Sequence, residues 1–211
     1  VVLEFAYSEA ELAHLLAHDS DPFNRWEAGQ RLYGQLICGA VATLSRGETV
    51  DWPVGVLDAV RQVLVGAGDP AFIAEALTLP GEATLAEQME VVDPELLFAA
   101  RSGLARHLAN GLQSDFARLY DTLAPLSAYR PETLAAGRRR LRNLCLAYLN
   151  ELDSAEHRTL ARQQFDGPLN LPLQFALVFP VSRLGEATDN RDRPVRIRVT
   201  EAPDGLIRSG Q

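Results

Sequence analysis

The stretch Asp21–Leu44, DPFNRWEAGQRLYGQLICGAVATL, decides the fold class. An Asp directly before a Pro supplies a helix start. The carboxylate accepts from backbone N–H groups that have no partner inside the helix, and Pro fits the first helical position because its missing N–H is not needed there. Behind Pro22, the residues Trp26, Tyr33, Leu36, Ile37, Ala40, Val41 and Leu44 keep to one helical stripe. This predicts a long amphipathic helix with Trp26 as a buried anchor at the joint before it.

The same punctuation recurs outward from this stretch. Asp69-Pro70 and Asp93-Pro94 repeat the acidic cap before a proline, and Ser8 with Glu11 forms a capping box ahead of a shorter helix. Leu97, Leu104, Leu108, Leu112, Phe116, Leu119 and Leu123 follow Pro94 near a 3.6-residue period, and a further helix from Pro131 carries Leu134, Leu141, Leu144, Cys145, Tyr148 and Leu149. Breaks fall at Arg46-Gly47, Gly66-Ala67-Gly68, Leu79-Pro80-Gly81 and Tyr129-Arg130-Pro131. The expected fold is mainly α, with antiparallel helical hairpins stacked as a bundle or superhelical solenoid and a small β appendage. Three parts are expected: residues 1–20 as a short strand (Val1–Ala6) and linker helix, 21–165 as the helical domain, and 166–211 as a β-like tail. In the tail, Leu171–Phe179 and Val195–Thr200 are predicted to pair in one small sheet with Val1–Ala6, because strands this short need partners for their backbone groups.

Composition removes several function classes. The 211 residues carry a formal net charge of −8, which opposes general affinity for nucleic acid. All 20 basic residues are Arg, a pattern that GC-rich codon usage produces. Apolar runs fall short of the ~20 residues that cross a bilayer, and no basic segment precedes an apolar stretch at the start of the chain. The two cysteines, Cys38 and Cys145, lie in apolar helical patterns and read as reduced thiols of a cytoplasmic protein.

Candidate chemistry is sparse. His14 and His18 in HLLAH stand at the i, i+4 spacing that lets two imidazoles face one metal, with Asp19 and Asp21 nearby. Leu15, however, occupies the place where an HExxH helix carries its general base. The plainer reading puts both histidines on the solvent edge of a short helix. Arg138, Arg139, Arg140 and Arg142 form a basic cluster, read first as a solvated face pairing with neighbouring acids and second as an anion or partner site. His107 and His157 stand alone in amphipathic helices. There is no Gly-rich phosphate loop, no nucleophile elbow and no cysteine pair with zinc-finger spacing. The residues therefore nominate no catalytic, no cofactor-binding and no metal-ligating position.

A resemblance enters at Ala17–Ala28, AHDSDPFNRWEA, which is similar to the joint before the C-terminal helical domain of the bacterial aminopeptidase N family of gluzincin metallopeptidases. The likeness continues through Ile73–Pro80, Val91–Pro94 and Leu141–Leu149, and ends near Gln163–Phe165. It implies a parent enzyme that uses zinc to release N-terminal amino acids from peptides. That family's HExxH and GAMEN-type motifs are absent from this chain, so no site residue carries over. The resemblance instead implies a non-catalytic helical segment that packs on a catalytic domain outside this chain and limits peptide access. Its partners would be that domain and, indirectly, peptide substrates, with neither nucleic acid nor membrane involved. The tail departs from the pattern: LNLPLQFAL (169–177) and PVRIRVTEA (194–202) look more like the family's small β-sandwich. The rival reading is an independent helical-repeat module that binds a peptide or protein.

Overall fold

The computed structural model describes residues 7–66, 68–124 and 133–166, together with 187–188 and 194–195. Among these residues the protein is helical almost throughout. The helices are α1 (Glu9–His18), α2 (Pro22–Ser45), α3 (Val54–Val65), α4 (Pro70–Ala76), α5 (Glu82–Ala86), α6 (Pro94–Gly111), α7 (Gln113–Thr122), α8 (Thr133–Asn150) and α9 (Ala155–Asp166). The described β structure is a two-residue antiparallel ladder, β1 (Ala187–Thr188) with β2 (Pro194–Val195). The pairing of Val1–Ala6 with Leu171–Phe179 and the rest of Val195–Thr200 lies outside the described residues.

Local chemistry sets the helix ends. The Ser8 hydroxyl accepts from the Glu11 N–H while the Glu11 carboxylate accepts from the Ser8 N–H at 2.9 Å, completing the capping box. Asp21, Asp69 and Asp93 each cap the helix that begins at the following proline. At the far end of α2, Gly47 adopts φ 71° and donates to the Leu44 carbonyl, while the Glu48 N–H donates to that of Thr43. This closure needs the left-handed conformation that Gly adopts freely.

One continuous core runs from Leu12 and Leu16 of α1 to Ala161 of α9. Helix α1 packs on α2 and α3, α2 on α4 and α6, and α8 on α4, α7 and α9. The α2 stripe is buried at Tyr33, Leu36, Ile37, Ala40 and Val41, as its period predicts.

Trp26 corrects that reading, because it is half-buried rather than a sealed anchor. In this part of α2 the covered positions are Ala28 and Gly29, where Leu16 and the Ala76 carbonyl approach closely. The indole instead packs against exposed Phe23, with ring centroids 5.7 Å apart. A second difference concerns the apolar series after Pro94. It keeps one period, yet the backbone breaks at Leu112 (φ −126°, ψ 18°), dividing α6 from α7.

The short helix α4 is held by its exit. Five consecutive carbonyls, from Ala76 to Pro80, accept from side chains of three other helices. Tyr33 donates to Ala76, Tyr148 to Leu77 at 2.7 Å, and Gln30 to Thr78 at 2.9 Å. Arg101 donates to Leu79 at 3.4 Å and to Pro80 at 2.9 Å. Carbonyls that leave a helix without intrahelical partners are thereby satisfied inside the fold. Tyr148 also stacks on Phe116 at 4.7 Å, joining α8 to α7.

Candidate functional site

The sequence candidates fall at separate places. His14 and His18 are exposed neighbours on α1, with ring centroids 4.8 Å apart and planes tilted by 49°. The nearby carboxylates are already committed to backbone. Asp19 accepts from the Asp21 N–H at 2.8 Å, and Asp21 accepts from Phe23 and Asn24 at the start of α2. Among the described residues no three His, Cys, Asp or Glu side chains gather as a metal-ligand set. The described residues therefore do not fit a zinc ion.

The arginine cluster of α8 disperses in several directions. Arg138 donates to the Thr122 carbonyl, Arg140 pairs with Glu75 of α4 at 2.5 Å, and Arg142 lies over the Tyr120 ring at 3.9 Å. Arg142 also donates to Gln164, which accepts from the Tyr120 hydroxyl and donates to Asn143. These three arginines join α8 to its neighbouring helices. Arg140 pairs with an acid, as the plainer reading expects, whereas Arg138 and Arg142 engage a carbonyl, an amide and a ring instead. His157 is buried at the start of α9, where its N–H donates to Ser154. Both cysteines carry free thiols. Burial pushes Cys145 up to about 12 and raises Cys38 as well, so both disfavour the reactive thiolate form.

One concave feature lies elsewhere. A cleft of about 360 Å³ opens between the start of α1, the middle of α2 and the segment Val50–Pro53. Its walls include Leu36, Val50, Trp52 and Pro53, and its charged lining consists of Glu9 and Asp51. Gly39 faces it with nothing within 4 Å of where a Cβ would stand. His107 stacks on Trp52 at 6.2 Å, and its buried Nε2 has no hydrogen-bond partner among the described residues. Burial lowers the His107 pKa, with Asp51 opposing the shift. No spacing rule pointed to this cleft, because Glu9, Gly39 and Asp51 meet only in the fold. A tryptophan beside a proline in a polar connection was the available signal.

Residues 9–191 match the family described as "Domain of unknown function (DUF3458_C) ARM repeats". The chain belongs to this family. Its members' helical-repeat architecture agrees with the stacked helices seen here. The chain is 37% identical to aminopeptidase N of Escherichia coli strain K12 over 150 residues, covering 71% of this chain and 17% of that protein. With aminopeptidase N of Caulobacter vibrioides it shares 35% identity over 175 residues, covering 81% of this chain and 20% of that one. The fold also matches Legionella pneumophila aminopeptidase A, crystallised in complex with aspartic acid, with a TM-score of 0.72 and 25% identity. That match covers 87% of this chain and 22% of the other. This DUF3458_C chain is thus homologous to the C-terminal helical region of aminopeptidase N, and it spans about a fifth of the length of the relatives it matches. No helix among its described residues is long and apolar enough to cross a membrane.

Proposed function

We propose that this chain is the access-limiting helical segment of a longer zinc-dependent aminopeptidase, packing on a catalytic domain outside the chain. The carrying observation is the similarity to aminopeptidase N over most of this chain but only a fifth of the relatives' length. Phe23, 63% exposed, and Val91, 82% exposed, are apolar surface that such a neighbouring domain would have available to cover. The parent activity would be release of N-terminal amino acids from peptides in the cytoplasm. Zinc would be held by the catalytic domain, since the described residues here offer no ligand set. This segment would act by excluding polypeptides too large to enter, without touching the reacting atoms.

The test is a chimera in which this chain replaces the matching segment of Escherichia coli aminopeptidase N. Retained hydrolysis of short peptides, with longer polypeptides still excluded, is the expected result. A chimera that trims long polypeptides as readily as tripeptides would remove the access-limiting role. So would an isolated chain that binds zinc and hydrolyses aminoacyl-nitroanilides by itself.

A further inference from the structure

The cleft between α1, α2 and Val50–Pro53 is unused by the role proposed above, and its chemistry is specific. It is an open groove of about 360 Å³ rather than an enclosed pocket, so a ligand there would keep part of its surface in water. Two carboxylates, Glu9 and Asp51, supply the charge of its lining, and among the described residues neither forms a salt bridge. Trp52 supplies an aromatic wall, half-buried and braced behind by the stacked His107. Gly39 leaves one position of the α2 wall open between the side chains of Leu36 and Thr43.

We infer that this cleft binds the cationic side chain of an arginine within a peptide. An anion would be repelled by both carboxylates. A purely apolar group would draw nothing from these two exposed carboxylates. Guanidinium is planar and weakly hydrated, so it can lie against an indole while its fork donates to a carboxylate. An arginine's aliphatic stem then lies along Leu36, Val50 and Pro53.

The neighbouring charges leave room for such a ligand. Arg46 reaches Thr43 at the cleft wall, but its guanidinium is held by Glu48 at 2.8 Å and by the Ala42 carbonyl. The charged residues that line the cleft itself, Glu9 and Asp51, are both acidic. His107 adds no fixed positive charge near neutral pH, because burial favours its neutral form. The Gln35 amide is engaged with the Tyr7 carbonyl at 3.5 Å.

The experiment titrates the full chain, in a Trp26→Phe background, with N-acetyl-arginine amide and with its neutral isostere N-acetyl-citrulline amide. Trp26 and Trp52 are the two tryptophans, so fluorescence then reports on the cleft alone. Saturable binding of the arginine compound is expected, with citrulline weaker by about tenfold and the difference shrinking in high salt. Asp51→Asn and Glu9→Gln should each reduce affinity several-fold, and Gly39→Leu should abolish binding by filling the cleft. Circular dichroism and the thermal midpoint of each variant show that it is folded. Equal binding of the two amides overturns the inference, as does unaltered affinity in folded Asp51→Asn or Gly39→Leu, or no saturation by the arginine compound. None of these readouts depends on peptidase activity, so failure here leaves the access-limiting role to its own test.

Discussion

Gly137 and Gly39 show how much one hydrogen atom decides. A Cβ at Gly137 would stand 2.9 Å from the backbone nitrogen of Ala71, where α8 crosses the first turn of α4. Backbone cannot rotate aside, so the two helices would have to part. Gly137→Ala should therefore destabilise the fold by about 1–3 kcal/mol, despite alanine's better helix propensity. Gly39→Ala meets nothing within 4 Å and should instead stabilise α2 by about 0.5–1 kcal/mol. Urea midpoints of the two variants should move in opposite directions, and movement in the same direction would contradict the close crossing. His107 gives a pH signature. Its folded pKa is lowered by burial, so the unfolded chain takes up the proton first as pH falls. Its contribution is intact above the unfolded value of about 6.5 and is lost below it. Stability should fall between pH 7.5 and 5.5, and that slope should flatten in His107→Gln. Legibility at this scale follows how local the chemistry is. Ser8, Asp21, Asp69 and Asp93 were readable because a cap bonds within three residues of itself. The half-burial of Trp26 was not, because it depends on which other helices cover that turn.

Helix starts were written in the sequence more clearly than helix breaks. The apolar series from Leu97 to Leu123 keeps its period across Leu112, so periodicity alone gives no reason for α6 to end where it does. The five-residue α5 lacks the length to show a stripe. Helix α4 has only seven residues, too short to persist without tertiary support, and its exit is the test of that support. Tyr148→Phe keeps the stacking on Phe116 but leaves the Leu77 carbonyl without its 2.7 Å donor. The expected loss is about 1–3 kcal/mol with an unchanged urea m-value. Tyr33→Phe should lose less, because its bond to Ala76 is 3.3 Å long. Burial also raises both phenol pKa values, so their contribution is present below about pH 10 and fades above it. Tyr148→Phe should accordingly tolerate alkaline conditions with a shallower decline than the parent chain. An unchanged midpoint in Tyr148→Phe would show that the carbonyl finds water instead.

Across the whole molecule, α1 shares one core with everything that follows it. Leu12 and Leu16 are 1% and 0% exposed, and α1 packs on both α2 and α3. Leu16→Ala should cost about 2–5 kcal/mol and lower the thermal midpoint of a chain this size by roughly 4–20 °C, in a single transition. Two separate transitions would show that α1 melts on its own. At this scale the fold class was legible because apolar stripes and caps recur along the chain. The cleft was not, because Glu9 comes from α1 and the Asp51-Trp52 pair from a connection about forty residues later, and only folding unites them across α2. The exit of α4 carries a different lesson. Gln30, Tyr33, Arg101 and Tyr148 grip main-chain oxygens and so ignore which side chains residues 76–80 present. Sequence drift should consequently be lopsided. In a saturation library of this chain, half-buried Thr78 should accept many replacements, while the four donors and the buried neighbours Ala76, Leu77 and Leu79 accept few. Drift would then concentrate at the one position of the held segment whose side chain does not fill the core.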